Sequence, residues 1–163
     1  MPIHFNDIDV SSEVAGLKSV LIVPCNMCPA ATVSIREEKP FMQLFRSLLK
    51  SLPFEQYLKK LQYRLSDQGV NAEIFRSNLY HLWFMCMWTS AQRKKLQKIA
   101  QKHEAVLVLG CDSATETVRE AVKSIDCKVI EGMKVSGIMN ATLKFHFPCN
   151  ISFEDCNVIP ISL

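Results

Sequence analysis

Apolar positions along the chain fall into two kinds of pattern, short unbroken runs and helically spaced stripes, and the two kinds alternate. Val20-Leu21-Ile22-Val23 is the first run; it stops at Pro24 and opens into Cys25-Asn26-Met27-Cys28-Pro29. A second run, Ala105-Val106-Leu107-Val108-Leu109, empties into Gly110-Cys111-Asp112-Ser113 ahead of a helical stretch from Ala114 to Ser124. Unbroken runs of this length predict strands buried on both faces. Between them Phe41, Leu44, Phe45, Leu48, Leu49 and Leu52 recur at helical spacing, and Phe54, Tyr57, Leu58, Leu61 and Leu65 do so again beyond Pro53. Gly69 then introduces a strand over residues 70–75, Thr89-Ser90 supplies the N-cap of a helix reaching Lys102, and a further strand is expected over 127–131.

The string Leu79-Tyr80-His81-Leu82-Trp83-Phe84-Met85-Cys86-Met87-Trp88 is the most apolar in the chain and holds both tryptophans. It reads as a strand ending near Cys86, because a helix N-cap follows at once. Leu143, Phe145 and Phe147 alternate with Lys144 and His146 as in a half-buried strand. Residues 1–16 are weakly patterned, an N-terminal arm or a short edge element. Alternating strands and helices predict one domain over 1–163: a three-layer α/β fold, its sheet mostly parallel, helices on both faces and cysteine-bearing loops at the carboxyl edge. The stretch from Val20 to Glu37 also resembles that from Val106 to Glu120, with Cys25 and Cys111, Thr32-Val33 and Thr117-Val118, Arg36-Glu37 and Arg119-Glu120 in matching order. Duplication of a strand-loop-helix unit and chance likeness between two buried strands both account for it.

Composition narrows the classes. At 163 residues and 48% hydrophobic the chain can bury one core. Nineteen Lys and Arg against sixteen Asp and Glu give only +3, spread along the chain, so nucleic acid is not indicated. The one basic group, Arg93-Lys94-Lys95 with Lys98, reads as a solvated helix face. No charged leader opens the chain and no apolar run approaches the roughly 18 residues that span a bilayer, so a soluble cytoplasmic protein is expected and no membrane partner. Seven cysteines without an export signal favour thiolate chemistry in a reducing compartment over a disulfide framework. With five glycines, neither a dinucleotide-binding fingerprint nor a phosphate-binding P-loop occurs. Ser34 stands six residues after Cys28, where a cysteine phosphatase loop needs arginine.

The chemistry therefore rests on thiols. Two cysteines spaced C-x-x-C reach one metal ion, or one another, without backbone strain. If three successive strands run parallel, Cys25, Cys28, Cys86 and Cys111 emerge at one sheet edge, matching the ligand number of a structural zinc or a cubane iron–sulfur cluster. The bland alternative is that Cys86 and Cys111 are small core residues. Cys149, in a second Pro-Cys-Asn, and His146 are further candidate ligands. Cys127 begins its strand and belongs at the opposite edge. His81 and His103 have no partner in sequence, and Asp112 reads as a carboxylate at a helix N-terminus.

Val20 to Cys28, Met85-Cys86 before a basic helix, and Ala105 to Cys111 with Thr117-Val118 and Glu120 resemble the cysteine-containing α/β domain that accompanies methylenetetrahydrofolate reductase in anaerobic bacteria and archaea, as a partner subunit or C-terminal extension. The likeness covers most of residues 17–142 in order of elements. It implies a metal or iron–sulfur accessory domain in one-carbon metabolism, with Cys25, Cys28, Cys86 and Cys111 at the matching positions. The chain departs from that pattern at Pro24 and Asn26, in a helical insertion near Pro53 and in its tail. Three functions are thus expected as alternatives: a metal- or iron–sulfur-binding accessory protein, a dithiol oxidoreductase cycling Cys25 and Cys28, or an interaction module with incidental cysteines. The apolar string from Leu79 to Trp88 is the expected contact for a protein partner or a second copy.

Overall fold

Two four-stranded sheets share the chain in the computed structural model, which describes residues 2–43, 50–76, 84–147 and 149–161. The first is parallel, in the order β4 (Asn71–Ile74), β2 (Ser19–Pro24), β5 (Ala105–Leu109) and β6 (Lys128–Glu131). Side chains of successive strand residues point to opposite faces, and the two unbroken runs divide accordingly. Val20, Ile22, Ala105, Leu107 and Leu109 join the cluster on one face; Leu21, Val23, Val106 and Val108 join the cluster on the other. Both faces are covered, which is why these strands carry no polar alternation.

On the first face lie α1 (Ser11–Val14), α2 (Cys28–Arg36) and α3 (Leu52–Asp67), whose stripe Phe54, Tyr57, Leu58, Leu61 and Leu65 is buried. Pro53, expected to interrupt a helix, sits in the first turn of α3, where its missing N–H is harmless. The second face carries α4 (Ser90–Ala100), started by a capping box between Thr89 and Gln92, and α5 (Asp112–Val122). Among the described residues no helix is long and apolar enough to cross a membrane.

The second sheet is antiparallel, in the order β1 (Ile3–Asp7), β7 (Met133–His146), β8 (Asn150–Pro160) and β3 (Met42–Gln43). It packs against α2 through β1 and β8. That helix is buried from Pro29 to Ser34 because it has a sheet to either side, and its small residues Ala30, Ala31, Thr32 and Ser34 allow both approaches.

This sheet corrects the expectation of a mostly parallel fold: the three-layer α/β unit is present, and half of the strands among the described residues belong to a second, antiparallel layer. The N-terminal segment is an edge element of it. Three local expectations also change. Met85–Met87 form a 3₁₀ turn rather than a strand end, because β4 already occupies the edge of β2 and the turn instead drops Met85 into the core. Residues 79–83 of that string lie outside the described residues. Met42–Gln43 pair with β8 where a helix was expected to begin, and Leu44, Phe45, Leu48 and Leu49 again lie outside the described residues. The stretch expected as a half-buried strand is open to solvent, Phe145 being 73% and Phe147 98% exposed.

Candidate functional site

Strand β2 sits between β4 and β5, so the connections leaving it and β5 wind in opposite directions: α2 and α3 lead to β4 across one face, α5 to β6 across the other. The carboxyl ends of β2 and β5 are therefore the switch point where open α/β sheets form their crevice. Cys25 follows β2 directly, and Cys111 follows β5 after Gly110. The Cys25 N–H donates to the Leu109 carbonyl at 2.8 Å, continuing the Pro24–Leu109 pairing by one step. A Cβ on Gly110 would meet the Ala114 Cβ at 2.6 Å and the Cys25 Cβ at 3.4 Å, so only glycine lets α5 start this close to the first thiol. Cys28 is the first residue of α2 and Cys111 the residue before α5, whose backbone carbonyl accepts from Ala114 and Thr115.

Cys86 reaches the same place from the 3₁₀ turn. The backbone groups of Met85 and Met27 lie beside the Cys25 thiol and favour its ionised form, which sets that turn against the C-x-x-C loop. Cys25 is only 6% exposed, and burial pushes its thiol up to about 11, with Cys28 and Cys111 opposing its ionisation further. Burial also raises the Cys28 thiol; Cys111 and Cys86 add to the rise, while the nearby Ile3 backbone offsets part of it. The four expected thiols thus lie in one electrostatic neighbourhood. Their donor chemistry suits a soft cation, yet among the described residues no three His, Cys, Asp or Glu are placed to hold one ion as they stand.

The other candidates lie elsewhere. Cys127 precedes β6, whose first residue pairs with Ala105 at the amino edge, as expected. The Nε2 of His146 is 2.8 Å from Glu154 on the β7–β8 hairpin, and Cys149 lies in its turn. This end of the hairpin adjoins the last turn of α2, with Ser34, Ile35 and Ser152 to Glu154 around one cleft, whereas Cys28 opens the same helix. His146 and Cys149 are not brought to the thiol edge. Asp112 stands in the first turn of α5, as its expected role requires. His81 is outside the described residues, and His103 is buried near Glu73 at 3.3 Å.

Two features carry no sequence signal. The backbone groups beside the Cys25 thiol, those of Met27 and Met85, come from residues about 60 positions apart, and only the fold brings them together. A cleft of about 300 Å³ between β1, α1 and α3, floored by Leu107 and Leu109, has Asp9 and Arg64 at its rim and no cysteine in its lining. Beside it Asp7 accepts from Tyr57 and Arg36, each at 3.1 Å, and the buried Tyr57 hydroxyl is held well above its ordinary pKa. In comparisons with known proteins, no family model, no curated protein and no solved structure matches the chain.

Proposed function

We propose that the chain is a metal- or iron–sulfur-binding accessory protein of a one-carbon or redox enzyme system, with Cys25, Cys28, Cys86 and Cys111 as its thiolate ligands. The supporting observation is the gathering of these cysteines from three separate loops at the switch point of the parallel sheet. The one-carbon assignment rests on the resemblance carried by residues 17–142. Zinc would pin the three loops together, and a cluster would add electron transfer. Binding requires the turn bearing Cys86 and the loop bearing Cys111 to close on the C-x-x-C pair, so metal uptake and loop ordering are one event.

Burial argues against a dithiol oxidoreductase. An attacking thiol needs a lowered pKa and access to solvent, and Cys25 has neither. Protein purified without oxygen is expected to hold near-stoichiometric zinc, or iron and sulfide with broad visible absorption. A folded chain that keeps no metal after anaerobic reconstitution with zinc, and with iron plus sulfide, would remove this function.

A further inference from the structure

Among the described residues the outer edge of β7 is unpaired over residues 140–146. β1 covers the edge only from Met133 to Ile138, and its last contact is the Met139 N–H donating to the Pro2 carbonyl at 2.9 Å. Beyond that point no described residue pairs with this edge. N–H groups alternate in direction along a strand, so those of Ala141, Leu143 and Phe145 point outward as that of Met139 does. The ladder irregularity here does not disturb the alternation: Asn140 pairs with Asn157 and Thr142 with Glu154, placing the extra residue in β8, where Asp155 has a φ of 51°. Leu143 and Phe145 share a face with the buried Met139, and they are 47% and 73% exposed. A strand edge of unpaired donors and acceptors beside exposed apolar side chains is a template for another extended strand.

We propose that this edge pairs antiparallel with the same edge of a second copy, about a two-fold axis through Leu143. The edge is self-complementary in that register. Leu143 faces Leu143, and Phe145 faces the second copy's Ala141, whose small side chain leaves room for the ring. Lys144 faces Thr142 and His146 faces Asn140, so no like charges oppose one another. Lys144 and His146 are each held by Glu154 within their own chain, at 2.5 and 2.8 Å, which neutralises the other face of the hairpin. The open stretch also has the right length: it runs from the end of β1 coverage to the hairpin turn, with Leu143 at its centre. An unrelated partner strand would need no such symmetry.

Light scattering on the full chain should give twice its 18.5 kDa, falling to the single-chain mass on dilution. Phe145→Asp acts twice per dimer, and losing two buried rings should weaken association roughly a hundredfold. Hydrogen exchange on the unmodified chain reads the same contact without a substitution: the amides of Ala141, Leu143 and Phe145 should slow as concentration rises, and those of Thr142 and Lys144 should not change. A single-chain mass at all concentrations overturns the proposal, as does a dimer that Phe145→Asp leaves intact. Concentration-independent exchange at the three outward amides does so too, whether or not a different protein binds the hairpin. None of these results bears on metal content.

Discussion

The N–H of Cys25 donates to the carbonyl of Leu109 at 2.8 Å, which ties the first thiol of the C-x-x-C loop to the strand that carries Cys111. The two loops can lie this close because Gly110 has no side chain. Gly110→Ala would place a methyl 2.6 Å from the Ala114 Cβ, an atom fixed in a helix, and α5 would have to shift. The expected loss is about 2 kcal/mol of stability, measured by urea denaturation, together with lower metal uptake.

Thr89 starts α4 by a reciprocal pair: its hydroxyl accepts from the Gln92 N–H at 3.3 Å and the Gln92 side chain accepts from the Thr89 N–H at 2.8 Å. Thr89→Ala removes one half and should cost about 1 kcal/mol in chemical denaturation. The metal content should stay unchanged, because the cap lies beyond the turn holding Cys86.

Much of the parallel unit could be read before the fold was known, and the reasons are physical. A strand buried on both faces must be apolar throughout, so β2 and β5 announce themselves, and a cysteine directly after such a strand can only emerge at its carboxyl edge. Cys25, Cys111 and Cys127 follow from that argument. The second sheet does not, because its pairing joins Ile3 to Ile138 and depends on partners that no local period reveals. β7 alternates as a half-buried strand should, yet residues 142–147 are exposed, and periodicity does not record where the cover ends. Cys86 stands in a 3₁₀ turn and not at a strand end: a run as apolar as Phe84 to Trp88 satisfies such a turn over the core equally well, with Trp88 resting on Phe75 at a centroid distance of 5.4 Å.

Helix α2 lies against a sheet on each side, and Ala30 and Ala31 are fully buried there. Ala31→Leu adds three carbon atoms where neither side can retreat without opening a core. A destabilisation of about 3 kcal/mol is expected, whereas Ala→Leu at an exposed helix position is close to neutral. Thermal unfolding of the purified variant measures it.

Alkaline pH should destabilise the metal-free chain through Cys25. Burial raises this thiol from its ordinary value near 9 to about 11 in the folded state, so the native chain holds the proton more tightly than the unfolded chain. The contribution is complete below pH 9 and is lost as pH rises through 11. Linkage puts the total at about 2–3 kcal/mol for a two-unit shift. Denaturation midpoints between pH 8 and 11 should therefore fall less steeply for Cys25→Ser than for the unmodified chain, and parallel slopes would show that Cys25 is not the group responsible.

Single substitutions of the cysteines separate a shared site from incidental thiols. With four ligands drawn from three loops, each thiolate contributes both a bond and the ordering of its own loop. Replacing Cys25, Cys28, Cys86 or Cys111 by Ser should each lower metal content severalfold. Cys127→Ser should leave it unchanged, since that residue precedes β6 at the amino edge. Cys149→Ser should do the same, because its hairpin turn adjoins the far end of α2 from Cys28. Elemental analysis and absorbance spectra on anaerobically purified variants give the readout. Cys86→Ser is the most informative of the set. Cys86 is the exposed member and the only one that does not border β2, β5 or the start of α2. Full metal retention in that variant would leave a three-thiolate site with an open position, and retention in Cys25→Ser as well would end the shared-site proposal.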